Sequence, residues 1–76
     1  MEEIAVTKTE IEQILEGGKV KKDNYLLYAN GMNFNTLDEN CSPLVTNPAK
    51  WSDLLEGNIN KIEWDSVYGV YVTITS

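Results

Sequence analysis

Glu63 and Asp65 stand two residues apart, and on an extended strand that spacing puts both carboxylates on one face, opposite Ile62 and Trp64. A pair of carboxylates whose pKa values split can divide the work of acid and base. The split needs a cleft or an apolar pocket, and no neighbouring residue in the sequence supplies one. The simpler reading is a solvated strand face whose charges discourage edge-to-edge pairing. Asp38-Glu39-Asn40 is a second cluster of oxygen ligands, without the acid spacing and distal glutamate of a calcium loop. Cys41 is the single cysteine. Flanked by Asn40 and Ser42 it lacks the acid-base partner of a nucleophilic thiol, and in a chain without histidine it cannot complete a zinc shell. Gly17-Gly18 follows a helical pattern instead of opening one, unlike the glycine-rich cradle of a phosphate site. The expectation is a protein that is not an enzyme and holds neither metal nor cofactor.

Charge points the same way. Twelve acids face six basic residues, all of them lysine, for a formal net charge of -6. The chain lacks the commonest general base, histidine, and the planar fork of arginine that reads phosphates and guanines. Most of such a surface repels a phosphate backbone, so no direct nucleic-acid contact is expected, whereas a protein partner with a basic surface is favoured. Lys19, Lys21 and Lys22 are the one basic cluster. The residues expected to meet the partner are Asp38, Glu39, Asp53, Glu56, Glu63 and Asp65, with Tyr71 as the aromatic contact on a polar strand face beside Thr73 and Thr75. Trp51 and Trp64 sit on apolar stripes and read as core.

In size, acidity and low-GC composition the chain resembles small phage-encoded inhibitors, a likeness of composition and not of motif. The leading functional expectation is a non-catalytic acidic protein-binding module, an inhibitor from a phage or mobile element that engages a basic or nucleic-acid-processing protein by imitating nucleic acid. Two alternatives stand beside it: a small-ligand-binding module acting as a homo-oligomer, and a minimal enzyme using the carboxylate pair. The longest apolar run, Tyr25–Ala29, is far short of the roughly 18 residues of a membrane span. Met1-Glu2-Glu3 is not the basic start of a signal peptide, and an unpaired cysteine is no disulfide framework, so a cytoplasmic location is expected.

The elements that must position these residues are punctuated clearly. Thr7-Lys8-Thr9-Glu10 is a capping box, Val6 and Ile11 sit where a hydrophobic staple closes, and Ile11, Ile14 and Leu15 form one stripe; this predicts a helix over 8–16. Asn47-Pro48 opens a second helix over 48–56, with Trp51, Leu54 and Leu55 as its stripe and Gly57 as its stop. Asn30-Gly31 predicts a two-residue hairpin between 25–29 and 32–37, and Val20 opens a short strand before the Asp23-Asn24 turn. Residues 38–46 read as a loop around Pro43, and a second hairpin follows from Ile62 and Trp64 and from the alternation of Tyr68, Val70, Val72 and Ile74. The fold class is α+β: a single domain over 1–76, with two short helices packed on an antiparallel sheet of two hairpins, or alternatively a small open barrel. The expected core is Ile11, Ile14, Leu15, Leu26, Tyr28, Phe34, Leu54, Leu55, Ile62, Trp64, Val70, Val72 and Ile74. Ile11-x-x-Ile14-Leu15-Glu16-Gly17 repeats as Trp51-x-x-Leu54-Leu55-Glu56-Gly57, an offset of 40. A duplicated α-β-β unit is one reading; shared capping grammar is the simpler one.

Overall fold

The structure, a computed structural model, describes residues 2–31, 40–64 and 69–75. Ile4 and Val6 alternate with Glu3, Ala5 and Thr7, which makes β1 (Glu2–Thr7) a strand with one buried face. Capping signals do not announce this strand, and its presence corrects the expected architecture. Thr7 ends β1 and caps α1 (Lys8–Leu15): its amide donates to Glu10 Oε1 at 2.9 Å and its hydroxyl accepts from the Glu10 amide at 3.2 Å. Glu16 is the C-cap, so α1 stops one residue before the expected end.

β2 (Val20–Lys22) and β3 (Tyr25–Ala29) form the first antiparallel hairpin, turning at Asp23-Asn24, where Asp23 takes the left-handed conformation (φ 52°) that a short polar side chain tolerates. The turn at Asn30-Gly31 is not the hairpin turn of β3, because β2 and β4 (Ser42–Thr46) already occupy both edges of that strand. The partner expected over 32–37 lies outside the described residues. β4 also corrects the expected loop over 38–46: it is an edge strand, where the missing amide of Pro43 is tolerated. α2 (Pro48–Glu56) has the predicted bounds, with Asn47 accepting from the Lys50 amide at 2.9 Å and Gly57 in the left-handed region (φ 83°). β5 (Lys61–Trp64) and β6 (Val70–Thr75) are the second hairpin as expected, joined by residues outside the described set.

The fold is α+β; the described residues form two helices and two three-stranded mixed sheets in place of one antiparallel sheet: sheet A in the order β1-β6-β5 and sheet B in the order β2-β3-β4. The described elements are thus a β-α-β-β unit followed by a second β-α-β-β unit. Each unit lends its first strand to the other, since β1 runs parallel to β6 and β4 runs parallel to β3. Register repeats as well. Glu2 opposes Val70 and Ser42 opposes Tyr25; the Glu2 amide donates to the Gly69 carbonyl at 2.8 Å and the Ser42 amide to the Asn24 carbonyl at 2.7 Å. The repeating unit is therefore one strand longer than the α-β-β of the sequence pattern.

The inward rows of both sheets and one stripe from each helix make a single core of Ile4, Val6, Ile11, Ile14, Val20, Leu27, Ala29, Leu44, Trp51, Leu54, Ile62, Val70 and Val72. Equivalent positions of the two units fill it: Ile11 and Trp51, Ile14 and Leu54, and Leu27 and Val72 are each fully buried. Leu26 and Tyr28 are buried as expected, on the other face of β3, while Leu15, Leu55, Trp64 and Ile74 are only partly covered. Phe34 lies outside the described residues. Leu27 and Val72 are central-strand residues of the two sheets, so truncating either opens a cavity that neighbours cannot fill. Leu27→Ala is expected to cost about 2–5 kcal/mol and Val72→Ala about 1–3 kcal/mol in urea melts.

Partial burial opposes ionisation of Glu10, but the Thr7 amide, Lys22 (Nζ 2.9 Å from Oε2) and the Thr7 hydroxyl outweigh it and hold this carboxyl below its ordinary pKa. A lowered folded-state pKa contributes stability that is complete above the ordinary value and is lost as pH falls through the lowered one. Glu10→Gln is therefore expected to lose stability near neutrality and to narrow its gap to wild type in acid, as read from denaturant midpoints.

Candidate binding site

Sheet A presents its outward residues to solvent. Cross-strand register sets Glu3 on β1, Tyr71 on β6 and Glu63 on β5 in one row, with Ala5, Thr73 and Lys61 in the next. Strands lie about 4.8 Å apart, so an acidic residue flanks Tyr71 on each neighbouring strand. Glu3 Oε2 accepts from the Thr73 hydroxyl at 2.8 Å, and Lys61 reaches Glu63 at 3.4 Å. The same ammonium lies 5.1 Å from the centre of the Tyr71 ring, a cation–π separation.

The second feature lies where the two sheets meet. Inward rows at one end of each sheet are Glu2–Val70–Trp64 in sheet A and Ser42–Tyr25–Lys22 in sheet B. Between them opens a cleft of about 680 Å³, lined among the described residues by Glu2, Tyr25, Ser42, Pro43, Leu44, Trp64 and Val70. The Tyr25 hydroxyl donates to Glu2 Oε1 at 2.8 Å and so ties the sheets across its mouth. Trp64 is held by two contacts: its indole N–H donates to the Val45 carbonyl at 2.8 Å, and its ring lies 5.8 Å from that of Trp51. Lys22, beside Tyr25 across the hairpin, is drawn away to Glu10.

Of the residues expected to bind, the structure brings together Glu63 and Tyr71. Asp53 and Glu56 belong to α2, which packs on the inner side of sheet A through Trp51 and Leu54. Asp53 closes that helix: its carbonyl accepts from the Asn58 amide at 2.9 Å and its carboxylate from the Asn58 side chain at 3.5 Å. Glu56 is exposed at the helix end. Asp38, Glu39 and Asp65 lie outside the described residues, and Asp65 takes the carboxylate pair with it. Glu2, Glu3 and Tyr25 are additions that sequence reasoning missed. The alternation of Ile4 and Val6 with Glu3 and Ala5 was the available signal for β1, but only the parallel pairing with β6 carries Glu3 to Tyr71.

Compared with known protein families, curated proteins and solved structures, the chain matches none. Among the described residues no group of three or more potential ligands could hold a metal ion, and no helix is long and apolar enough to cross a membrane.

The hydrogen bond to Glu2, then burial and the negative charges of Glu2 and Asp23, push the Tyr25 phenol above its ordinary pKa. A raised folded-state value means that this bond supports the fold below the ordinary phenol pKa and is lost as pH rises through the raised one. In an ultraviolet pH titration Tyr25 should ionise later than model tyrosine, and Tyr25→Phe should remove that late component.

Proposed function

We propose that the chain is a non-catalytic acidic protein-binding module that engages a basic partner through the outer face of sheet A. The observation that carries this reading is the Glu3–Tyr71–Glu63 row. A lysine or arginine laid on the Tyr71 ring meets a carboxylate on either side, and Lys61 already demonstrates that the ring accommodates an ammonium. Glu63 is well exposed, a setting that suits long-range attraction better than acid-base chemistry. In its finer form the proposal is a cytoplasmic inhibitor of phage or mobile-element origin that meets a nucleic-acid-processing protein as a mimic of nucleic acid. The net charge of -6 supports attraction to such a partner.

The cleft between the sheets favours a second reading, a small-ligand-binding module, because its volume falls within the range of about 300–1,000 Å³ typical of ligand sites. Assembly into a homo-oligomer belongs to that reading.

The first reading is tested with a partner captured from the native host, by association kinetics across a salt series. Charges of this kind are screened beyond about 8 Å at physiological ionic strength, so salt should slow association far more than it speeds dissociation. Glu3→Lys with Glu63→Lys should cut the on-rate about tenfold and leave the melting temperature nearly unchanged, since exposed pairs contribute only about 0–1 kcal/mol. An on-rate indifferent to both salt and these reversals would refute acidic steering.

A further inference from the structure

The cleft between the sheets has a composition that selects a ligand. Its floor is apolar, formed by Leu44 and Val70, both buried, with Pro43 at the edge. Two aromatic side chains flank it, each fixed at its polar end: Tyr25 by its bond to Glu2 and Trp64 by its bond to the Val45 carbonyl. Among the described lining residues the charged side chain is a carboxylate, Glu2. One bond from Tyr25 to Oε1 leaves acceptor capacity, because a carboxylate offers about four lone-pair sites. An anion entering here meets Glu2 within an acidic molecule. A neutral apolar ligand would strip water from that carboxylate and return nothing for it.

We propose that this cleft is a binding site for an organic cation: an alkylammonium group on an apolar stem, taken up beside Tyr25 and Trp64 with Glu2 as its counter-charge. Aromatic faces attract such cations more strongly as water is excluded, and the apolar floor receives the methyl or methylene groups that an inorganic cation lacks. Fixing both rings in advance removes part of the ordering cost of binding. This inference deepens the small-ligand reading and is independent of the outer face of sheet A. Two sources carry the chemistry, a free quaternary amine and the lysine side chain of a protein.

The test is an NMR titration of the whole chain with four probes: choline, the uncharged alcohol in which carbon replaces its quaternary nitrogen, a capped lysine, and the same capped lysine acetylated on its side chain. The cationic probes should shift the Tyr25 ring and the Trp64 indole saturably, and each neutral counterpart should bind about tenfold more weakly. Ile14, fully buried and not among the residues lining the cleft, serves as the internal reference. Glu2→Gln, which can still accept from Tyr25, should weaken the cations about tenfold and leave the neutral probes unchanged. Tighter binding of choline identifies a free amine as the source, and tighter binding of lysine a partner's side chain. The proposal is overturned if neutral probes bind as well as charged ones, if Glu2→Gln has no effect, or if neither cation shifts the cleft residues at tens of millimolar. Shifts confined to Tyr71 would also overturn it, while supporting the outer-face reading.

Discussion

The parallel pairing of β1 with β6, matched by that of β4 with β3, holds the rest of the structure in place. Neither β-α-β-β unit completes a three-stranded sheet from its own strands; each sheet is a hairpin from one unit plus the first strand of the other. Removing β1 would take Ile4 and Val6 from the shared core and leave β6 with an open edge. Such pairings close long loops before their contacts form, which costs entropy and places folding toward the slow end for so small a chain. What the exchange gains is one continuous core instead of two that are each too small to persist.

The two tryptophans reinforce that exchange with directional bonds. Trp51 on α2 donates to the Tyr28 carbonyl at 3.3 Å and Trp64 on β5 donates to the Val45 carbonyl at 2.8 Å. Both acceptors lie in sheet B, so the second unit's helix and hairpin are each fastened to the sheet that holds the first unit's hairpin. Trp51 thus combines full burial, and Trp64 partial burial, with a satisfied N–H, and the two rings lie within the range of tilted aromatic contacts.

The repetition is closest in the core and fades at the surface. Leu26 and Tyr28, on the outer face of sheet B, occupy the register positions that Tyr71 and Thr73 hold in sheet A, yet the first pair is buried and the second half-exposed. Lys22 and Trp64 are likewise equivalent, and one pairs with Glu10 while the other lines the cleft. Packing constrains the inward rows tightly, because volume errors there cost stability. Outward rows are free to differ, as is the solvent-facing end of the inward rows, and the two binding features lie in these two places.

The helices were legible because their signals are local. Thr7 and Asn47 cap through atoms three residues away, and Gly57 stops α2 by its own backbone conformation. The β5–β6 hairpin, the burial of Ile62, Val70 and Val72, and the placing of Tyr71 and Glu63 on polar strand faces also follow from alternation along neighbouring strands. Alternation says which residues share a face; it is silent on which strand lies alongside. Asn30-Gly31 is a strong hairpin signal, but β4 takes the edge of β3 that the hairpin would have used. The strand character of 2–7 and 42–46 emerges only when partners distant in sequence supply the hydrogen bonds that short segments cannot supply for themselves. The outer row with Glu3 and the cleft with Glu2, Tyr25 and Trp64 are products of those long-range pairings, so the tertiary structure alone decides them.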